Sequence, residues 1–345
     1  MQSARAPAIL SPAGLTGNLA GYASQVGHAL GEKKVNHRAF ARRQIAAIRR
    51  TVGKGRAISA LSGGVDSAVA TVLAHRALGK RLKVLFIDDG LMREDEPQEV
   101  RAAFAHLGIR VRIVRAARTF FAALKGRTDP ERKRKAFRDT FYKVFQKAVR
   151  ASGAPFLVQG TIAADIVETR KGVKTQHNVL DQIGISAKGR YGYATIEPLK
   201  TLYKPDVRKV GRALGLPRSL YARMPFPGPG LACRCLGEAN PERIAIVRAA
   251  CKIVEEETRR FKKFQAFGVL LEDRATGVTK DGRRRFGHIL AVRCVDSEKA
   301  ITATATKLPW PVLMKIQKRI YREIPSATKV VYDLSPKPPS TIEYI

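Results

Sequence analysis

The stretch that decides the fold is residues 57–67, Ala-Ile-Ser-Ala-Leu-Ser-Gly-Gly-Val-Asp-Ser. Its apolar first half predicts a buried strand, and the apolar positions that recur after Ser67 predict a helix. A glycine-rich turn between the two collects backbone N–H groups and the positive end of the helix at one point, which makes a pocket for an anion. Gly63 and Gly64 suit this turn because glycine accepts positive φ and lets phosphate oxygens approach the backbone. The alternative is an ordinary strand–turn–helix with Asp66 as the helix cap.

The turn is not a Walker A loop, because no Gly-Lys-Ser or Gly-Lys-Thr follows at the required spacing. It resembles instead the pyrophosphate loop of the ATP pyrophosphatases. Those enzymes hold the β- and γ-phosphates of ATP as one leaving group and transfer the adenylyl group to a substrate oxygen. The resemblance favours the phosphate loop of an enzyme over an ordinary strand–turn–helix that binds no ligand.

The composition is that of a folded protein, with 45% hydrophobic and 27% charged residues in a chain of 345. We find no apolar run long enough to span a bilayer and no clear secretory signal, so we expect no membrane partner. Four cysteines in so long a chain do not form a disulfide framework. We therefore predict that the protein resides in the reducing environment of the cytoplasm.

The formal net charge of +35 comes from 64 Lys and Arg residues against 29 Asp and Glu residues. Such a charge attracts polyanions and phosphorylated ligands. The basic residues are spread along most of the chain, however, and aromatic residues are not interleaved with them as stacking platforms for bases would be. We therefore do not expect a nucleic acid partner, although the charge does not exclude one.

Strands that alternate with helices predict an α/β fold with a parallel sheet. The predicted strands of this part cover residues 56–61, 82–87, 110–114, 155–158 and 193–199. Ligands of such sheets bind at the carboxyl ends of the strands. The segment 224–231, Met-Pro-Phe-Pro-Gly-Pro-Gly-Leu, excludes helix and marks a predicted boundary. We predict an N-terminal extension at 1–35, a nucleotide-binding domain at 36–224 and a smaller α+β domain at 225–345.

Two carboxylates and a polar segment follow the fourth predicted strand. Asp165 and Glu168 are three residues apart and would share one face of a helix. Residues 170–192 lack apolar periodicity and carry four glycines. A polar loop of this length beside a phosphate pocket is typical of a lid.

Together these motifs resemble the synthetase part of GMP synthase, an ATP pyrophosphatase that makes guanosine monophosphate from xanthosine monophosphate. The resemblance covers about residues 36–345 and rests on 61–67, 87–93, 130–135, 159–161 with Asp165 and Glu168, 174–179, 225–231 and 337–343. It implies a parallel five-stranded adenine-nucleotide-hydrolase-like (ATP pyrophosphatase) domain followed by a smaller α+β dimerisation domain.

The resemblance also implies three groups of site residues. ATP, the co-substrate, would be bound by Ser62, Gly63, Gly64, Val65, Asp66, Ser67, Ala68, Ile87, Gly160 and Lys204, and Asp66 would be the ligand of Mg²⁺. Xanthosine monophosphate would be bound by Arg134, Pro227, Gly228, Lys337, Thr341, Ile342 and Glu343. The catalytic group, closed by the lid, would be Asp165, Glu168, Lys174, Thr175, His177 and Asn178.

The implied partners are ammonia from a separate glutaminase and a second copy of the chain, since no glutaminase segment precedes the synthetase motifs. The chain looks like the ATP-pyrophosphatase (synthetase) component of the archaeal two-subunit form. Two other functions stay open from the residues. A tRNA-modifying ATP pyrophosphatase would use the same loop, explain the charge and use Cys233 and Cys235 as persulfide carriers. A nucleotide sensor would bind ATP and RNA without turnover.

Overall fold

The computed structural model describes residues 36–170, 193–279, 281–298 and 300–345, and every element below belongs to one compact unit, His37–Ile345. The first part of this unit is a five-stranded sheet in the order β3-β2-β1-β4-β5. All its neighbouring strands pair in parallel. The strands are Ala57–Leu61 (β1), Leu82–Asp88 (β2), Val111–Arg115 (β3), Phe156–Val158 (β4) and Ala194–Ile196 (β5).

Helices connect these strands and bury both faces of the sheet centre. They are His37–Val52 (α1), Val65–Leu78 (α2), Glu96–Ala105 (α3), Ala117–Leu124 (α4), Pro130–Ser152 (α5), Ala163–Arg170 (α6), Lys204–Ala213 (α7) and Arg218–Tyr221 (α8). The central strand β1 reads as a nearly continuous apolar run because helices cover both of its faces, and Ala57 and Ile58 are fully buried. The sheet therefore agrees with the parallel five-stranded prediction.

The second part contains a mixed sheet and two helices. Its helices are Pro241–Glu257 (α9) and Trp310–Glu323 (α10), and its strands are Gln265–Val278 (β6), Arg284–Asp296 (β7), Thr304–Ala305 (β8) and Ala327–Tyr332 (β9). Strands β6 and β8 are antiparallel to β7, whereas β9 is parallel to it. Strand β6 extends well past Leu271, because the polar residues that follow continue the ladder with β7 outside the core.

A single apolar cluster joins the two parts. It includes Leu91 and Phe120 from the first part and Leu231 and Phe267 from the second. Buried Lys133 of α5 adds a polar connection, since its Nζ donates to the carbonyl oxygens of Cys235 at 2.5 Å and Gly237 at 2.9 Å. The boundary near residue 224 stays a prediction. The predicted extension 1–35 and segment 171–192 lie outside the described residues.

The turn after the proline-rich segment depends on a glycine. Gly230 has φ +60°, and a Cβ atom there would overlap the carbonyl oxygen of Leu91. The same carbonyl accepts a hydrogen bond from Leu231 N at 2.7 Å. Close backbone approach at this point brings the turn after residue 229 against the loop that follows β2.

We expect Gly230→Ala to lower the thermal midpoint of unfolding by roughly 5 °C or more, because it combines left-handed strain with a backbone clash. Gly228→Ala is the matched control, since nothing lies within 4 Å of its Cβ position. Differential scanning calorimetry of both variants measures the effect. Equal midpoints would contradict this account of the turn.

Candidate active site

The loop between β1 and α2 is held open by its own side chains. Ser67 Oγ donates to Gly64 O at 3.0 Å, accepts from Ser62 N at 3.2 Å and lies 3.1 Å from Ser62 Oγ. Gly63 has φ +74°. The loop leads directly into α2, so the positive end of that helix and the loop's N–H groups face the same space. This arrangement fits a phosphate group.

The carboxyl end of β4 packs tightly against the start of α2. A Cβ atom on Gly160 would lie 2.7 Å from both Asp66 C and Ser67 N. Only a residue without a side chain permits this approach, because both neighbours are backbone atoms. Gly160 therefore fixes the distance between the phosphate loop and the start of α6.

Asp66 lies in the first turn of α2, directly after the loop. Its Oδ2 lies 3.3 Å from Lys204 Nζ, while its Oδ1 is buried with no hydrogen-bond partner among the described residues. Burial raises the pKa of Asp66, Lys204 opposes the rise, and the nearby charge of Asp165 adds to it.

A buried carboxylate oxygen without a partner, close to a second carboxylate, fits a hard divalent cation such as Mg²⁺. That ion commonly takes one or two carboxylates together with substrate phosphates and water. In the described part of the chain, no cluster of three or more His, Cys, Asp or Glu side chains could hold a metal. A pair of carboxylates is a donor set that suits a metal whose other ligands are phosphate oxygens and water.

The phosphate loop opens into a cavity of about 1000 Å³. Its walls come from the loops after β1, β2 and β4, from the starts of α6 and α7, from one face of α5 and from residues 223–229. Of the predicted ATP site, Ser62–Ser67, Ile87, Gly160 and Lys204 line this cavity. Ala68 is buried in α2 behind the loop, where its N–H bonds Gly64 O at 3.2 Å.

One face of α5 supplies both charge and aromatic surface to the cavity. Arg134, predicted from the resemblance, lines it and forms an ion pair with Glu131. Arg138, Phe141 and Tyr142 line it as well, and the sequence reasoning missed them. Their helical spacing is visible in the sequence, but that spacing does not distinguish a helix face that lines a cavity from one that packs in the core or faces solvent.

The proline-rich loop is fixed by an aromatic ring between two guanidinium groups. The Phe226 ring centroid lies 4.2 Å from Arg93 Cζ and 5.0 Å from Arg234 Cζ. Gln265 Nε2 donates to Pro225 O at 3.0 Å. Pro227 and Gly228, predicted to bind xanthosine monophosphate, line the cavity on this loop.

The C-terminal tail is anchored by two buried arginines. Arg234 donates to both carboxylate oxygens of Glu343, at 3.0 Å and 2.8 Å. Arg293, which is fully buried, donates to the carbonyls of Ser335 at 2.6 Å and Thr341 at 3.0 Å. Ile342 is buried between these contacts.

The tail residues predicted to bind xanthosine monophosphate do not line the cavity of this single chain. Lys337 Nζ donates to Ala300 O at 2.8 Å, the hydroxyl of Thr341 donates to Glu343 O, and Ile342 belongs to the apolar core. Their assignment stays a prediction. The described structure brings together the phosphate loop, Asp165 and Lys204, but not the tail.

Asp165 lies at the first turn of α6 and lines the cavity, where its Oδ2 accepts a hydrogen bond from Ile162 N at 3.0 Å. Glu168 lies on the same helix, but its side chain is outside what the structure describes. The predicted residues Lys174, Thr175, His177 and Asn178 also lie outside the described residues. The helical spacing of Asp165 and Glu168 agrees with the sequence expectation.

Further charged residues of the cavity were missed by sequence reasoning. They include Asp89, Glu96, Arg208 and Arg223. Arg208 could have been found, because it lies one helical turn after Lys204. The others carry no local signal, since their place depends on contacts between distant segments.

Comparison with known proteins agrees with this architecture. A family model described as NAD synthase matches residues 42–228, and one described as GMP synthase C terminal domain matches residues 252–344. One subunit of the glutamine-hydrolyzing GMP synthase of Methanocella arvoryzae is 49% identical over 312 residues, which cover 90% of this chain and 99% of that protein. The protein of the same description from Archaeoglobus fulgidus is 48% identical over 305 residues, covering 88% and 98%.

Among solved structures, the NH3-dependent NAD synthetase from Campylobacter jejuni has a TM-score of 0.42 and 17% identity, covering 55% of this chain and 78% of that chain.

The NAD synthase match spans the parallel sheet and the phosphate loop, and these define a synthetase domain of the ATP pyrophosphatase class. The match to the GMP synthase C terminal domain lies in the mixed-sheet part that follows. The chain belongs to the family of these glutamine-hydrolyzing GMP synthase subunits. The predicted fold class and family are thus confirmed, and the tRNA-modifying alternative is not favoured.

None of the helices within 36–170, 193–279, 281–298 and 300–345 has the length and apolar character needed to cross a bilayer.

Gly160→Ala tests the tight packing at the phosphate loop. The added methyl group would displace the backbone of Asp66 and Ser67, so we expect ATP affinity to fall by roughly tenfold or more. Isothermal titration calorimetry with ATP measures it. Gly153→Ala at the end of α5, outside the cavity and with φ +61°, strains the backbone elsewhere and so controls for a general loss of stability. Unchanged ATP affinity in Gly160→Ala would contradict the assignment.

Asp89, which follows β2, is a buried carboxyl group of the cavity wall. Burial raises its pKa to about 7. Its Oδ1 accepts a hydrogen bond from Leu91 N at 2.8 Å, which opposes the rise, while the charges of Asp88 and Glu96 add to it. The folded protein keeps a proton that the unfolded chain loses near pH 4, so this group's contribution to stability falls as the pH rises from about 4 to about 7.

Asp89→Asn removes this titration and keeps an acceptor for Leu91 N–H. We expect the thermal midpoint of the variant, relative to the wild type, to rise by several degrees between about pH 5 and about pH 8. Thermal unfolding across that range measures the difference, with the exposed Asp273→Asn as the control. A difference between variant and wild type that is independent of pH would contradict the assignment.

Proposed function

We propose that this chain is the synthetase component of a glutamine-hydrolysing GMP synthase. It would adenylylate xanthosine monophosphate with ATP, and ammonia would then convert the intermediate into guanosine monophosphate and AMP. The observation that carries the proposal is one cavity that joins a phosphate loop, two neighbouring carboxylates and the proline-rich loop. The relatives described as subunits of GMP synthase support the choice of substrate.

In the first step, O2 of xanthosine monophosphate attacks the α-phosphorus of ATP, and pyrophosphate leaves. The N–H groups of residues 62–67 and the ammonium group of Lys204 stabilise the charge that grows on the leaving group. Asp66, with Asp165 close by, would hold Mg²⁺, which supplies further neutralisation of phosphate charge when bound. The backbone around Ile87 would contact the adenine.

Both nucleotides must be held in line for this transfer, since positioning supplies much of the reduction of the barrier. Arg134 at the start of α5 suits the phosphate of xanthosine monophosphate because a guanidinium binds phosphate with two parallel hydrogen bonds. Pro227 and Gly228 would lie along the nucleotide. The tail residues Lys337, Thr341, Ile342 and Glu343 would complete this site in a homodimer formed through the second part.

In the second step, ammonia attacks C2 of the adenylylated intermediate, and AMP leaves with the oxygen that linked the two nucleotides. Water must be excluded, because it would hydrolyse the intermediate. Asp165 and Glu168, together with Lys174, Thr175, His177 and Asn178 of segment 170–192, would close over the site. Replacing Asp165 or Lys174 would then reduce turnover without unfolding the protein.

The ammonia would come from a separate glutaminase, as the description of the relatives as one subunit of a glutamine-hydrolyzing enzyme suggests. We place the reaction in the cytoplasm. The four cysteines support this, since all are buried and free, as expected under reducing conditions. Burial raises the pKa of Cys233 and Cys235, which does not suit them as persulfide carriers.

The test is to measure AMP, pyrophosphate and guanosine monophosphate with ATP, Mg²⁺, ammonium and xanthosine monophosphate, and to repeat it with tRNA in place of the mononucleotide. We expect release of all three products that depends on xanthosine monophosphate. Asp66→Asn should lower turnover by roughly a hundredfold or more, whereas the exposed Asp273→Asn should not. Turnover with tRNA alone would overturn the proposal, and ATP binding without any turnover would favour the sensor.

A further inference from the structure

A buried ion pair lies beside the phosphate loop and is not used by the mechanism above. Arg223 NH1 lies 2.8 Å from Glu96 Oε1, and its NH2 lies 3.6 Å from Glu99 Oε2. The Glu96 side chain is 2% exposed and that of Arg223 17%. Both residues line the cavity.

The pair touches the glycine turn itself. A Cβ atom on Gly63 would overlap Glu96 Oε1 and would lie 3.9 Å from Arg223 NH1. The guanidinium of Arg223 is therefore within a few ångströms of the backbone that forms the anion pocket. A positive side chain at this distance is close enough to share an oxygen of a phosphate bound there.

The Glu96 carboxylate that pairs with the guanidinium of Arg223 is itself held by a second contact. Its other oxygen, Oε2, accepts a hydrogen bond from Arg93 N at 3.2 Å. Arg93 also stacks on Phe226 and ion-pairs with Glu255 at 3.1 Å. The carboxylate thus belongs to a rigid frame, and Arg223 is oriented before any ligand binds.

A guanidinium has five N–H donors, and its contacts to two carboxylates do not exhaust them. The same carboxylates offset the charge of Arg223 in the free protein, so this largely buried cation is stable there. A polyphosphate bound beside it would add negative charge and so stabilise the guanidinium further. A bidentate contact to phosphate also favours arginine over lysine.

We propose that Arg223 binds the terminal phosphates of ATP beside the Ser62–Ser67 loop, and that Glu96 positions it for that contact. The inference rests on the proposed function in that ATP occupies this loop. Arg223 adds a cation from the segment before the proline-rich loop. The leaving pyrophosphate is then bound by two cations, Lys204 of α7 and Arg223. The contact is to the β- and γ-phosphates, so AMP would not engage it.

The experiment compares the affinities of Mg²⁺-bound ATP and of AMP, measured by isothermal titration calorimetry on the full chain. The variants are Arg223→Gln, Arg223→Lys and the matched control Arg218→Gln, which removes an exposed charge outside the cavity five residues earlier. We expect Arg223→Gln to weaken ATP binding by roughly 10- to 100-fold, since a charged hydrogen bond is lost. AMP affinity should change by less than about twofold.

Arg223→Lys should cause an intermediate loss of ATP affinity, because lysine keeps the positive charge but cannot make two parallel hydrogen bonds to a phosphate. It carries the test alone if calorimetry shows that Arg223→Gln does not fold. Arg218→Gln should bind both nucleotides as the wild type does.

Equal loss of ATP and AMP affinity would point to a structural role and overturn the inference, as would wild-type ATP affinity in a folded Arg223 variant. Both outcomes leave the proposed function standing. A wild type that binds no ATP would overturn the proposed function together with the inference.

Discussion

The structure depends on the stacking of Phe226 between the guanidinium groups of Arg93 and Arg234. Arg93 belongs to the loop after β2, in the parallel-sheet part, and Arg234 belongs to the turn that enters the mixed-sheet part. Each arginine is also paired with a glutamate, Glu255 and Glu343. The ring therefore connects the two parts at the wall of the cavity. A loop with two prolines around this ring has few conformations to lose, so it can present backbone to a nucleotide at low entropic cost.

Charged side chains from distant segments also come together at the cavity. Cations from α5, α7 and residue 223 line the same cavity as the backbone N–H groups of the loop, and so do the carboxylates of Asp66, Glu96 and Asp165. Such an arrangement keeps each charge balanced in the free protein and supplies donors to a polyphosphate. The surplus of basic residues elsewhere on the chain is not needed for this balance, and nothing in the structure explains it.

The sequence predicted the phosphate loop correctly because every feature of it is local: a buried strand, two glycines and the start of a helix within eleven residues. The alternation of strands and helices likewise predicted the five-stranded parallel sheet. The Arg234–Glu343 pair joins residues 109 apart, and the Arg223–Glu96 pair joins residues 127 apart. No periodicity or motif connects such positions, so they could not be predicted. The tail motif was recognised by resemblance, but its anchoring by Arg234 and Arg293 required the fold.

The central claim is that one cavity brings the two nucleotides together for direct adenylyl transfer. The most direct measurement is the fate of oxygen-18 placed at O2 of xanthosine monophosphate, followed by mass spectrometry of the AMP formed with ATP and ammonium. The account predicts that AMP carries the label, because the oxygen that attacks phosphorus stays with the adenylyl group when ammonia displaces it from C2. Unlabelled AMP formed together with guanosine monophosphate would contradict it.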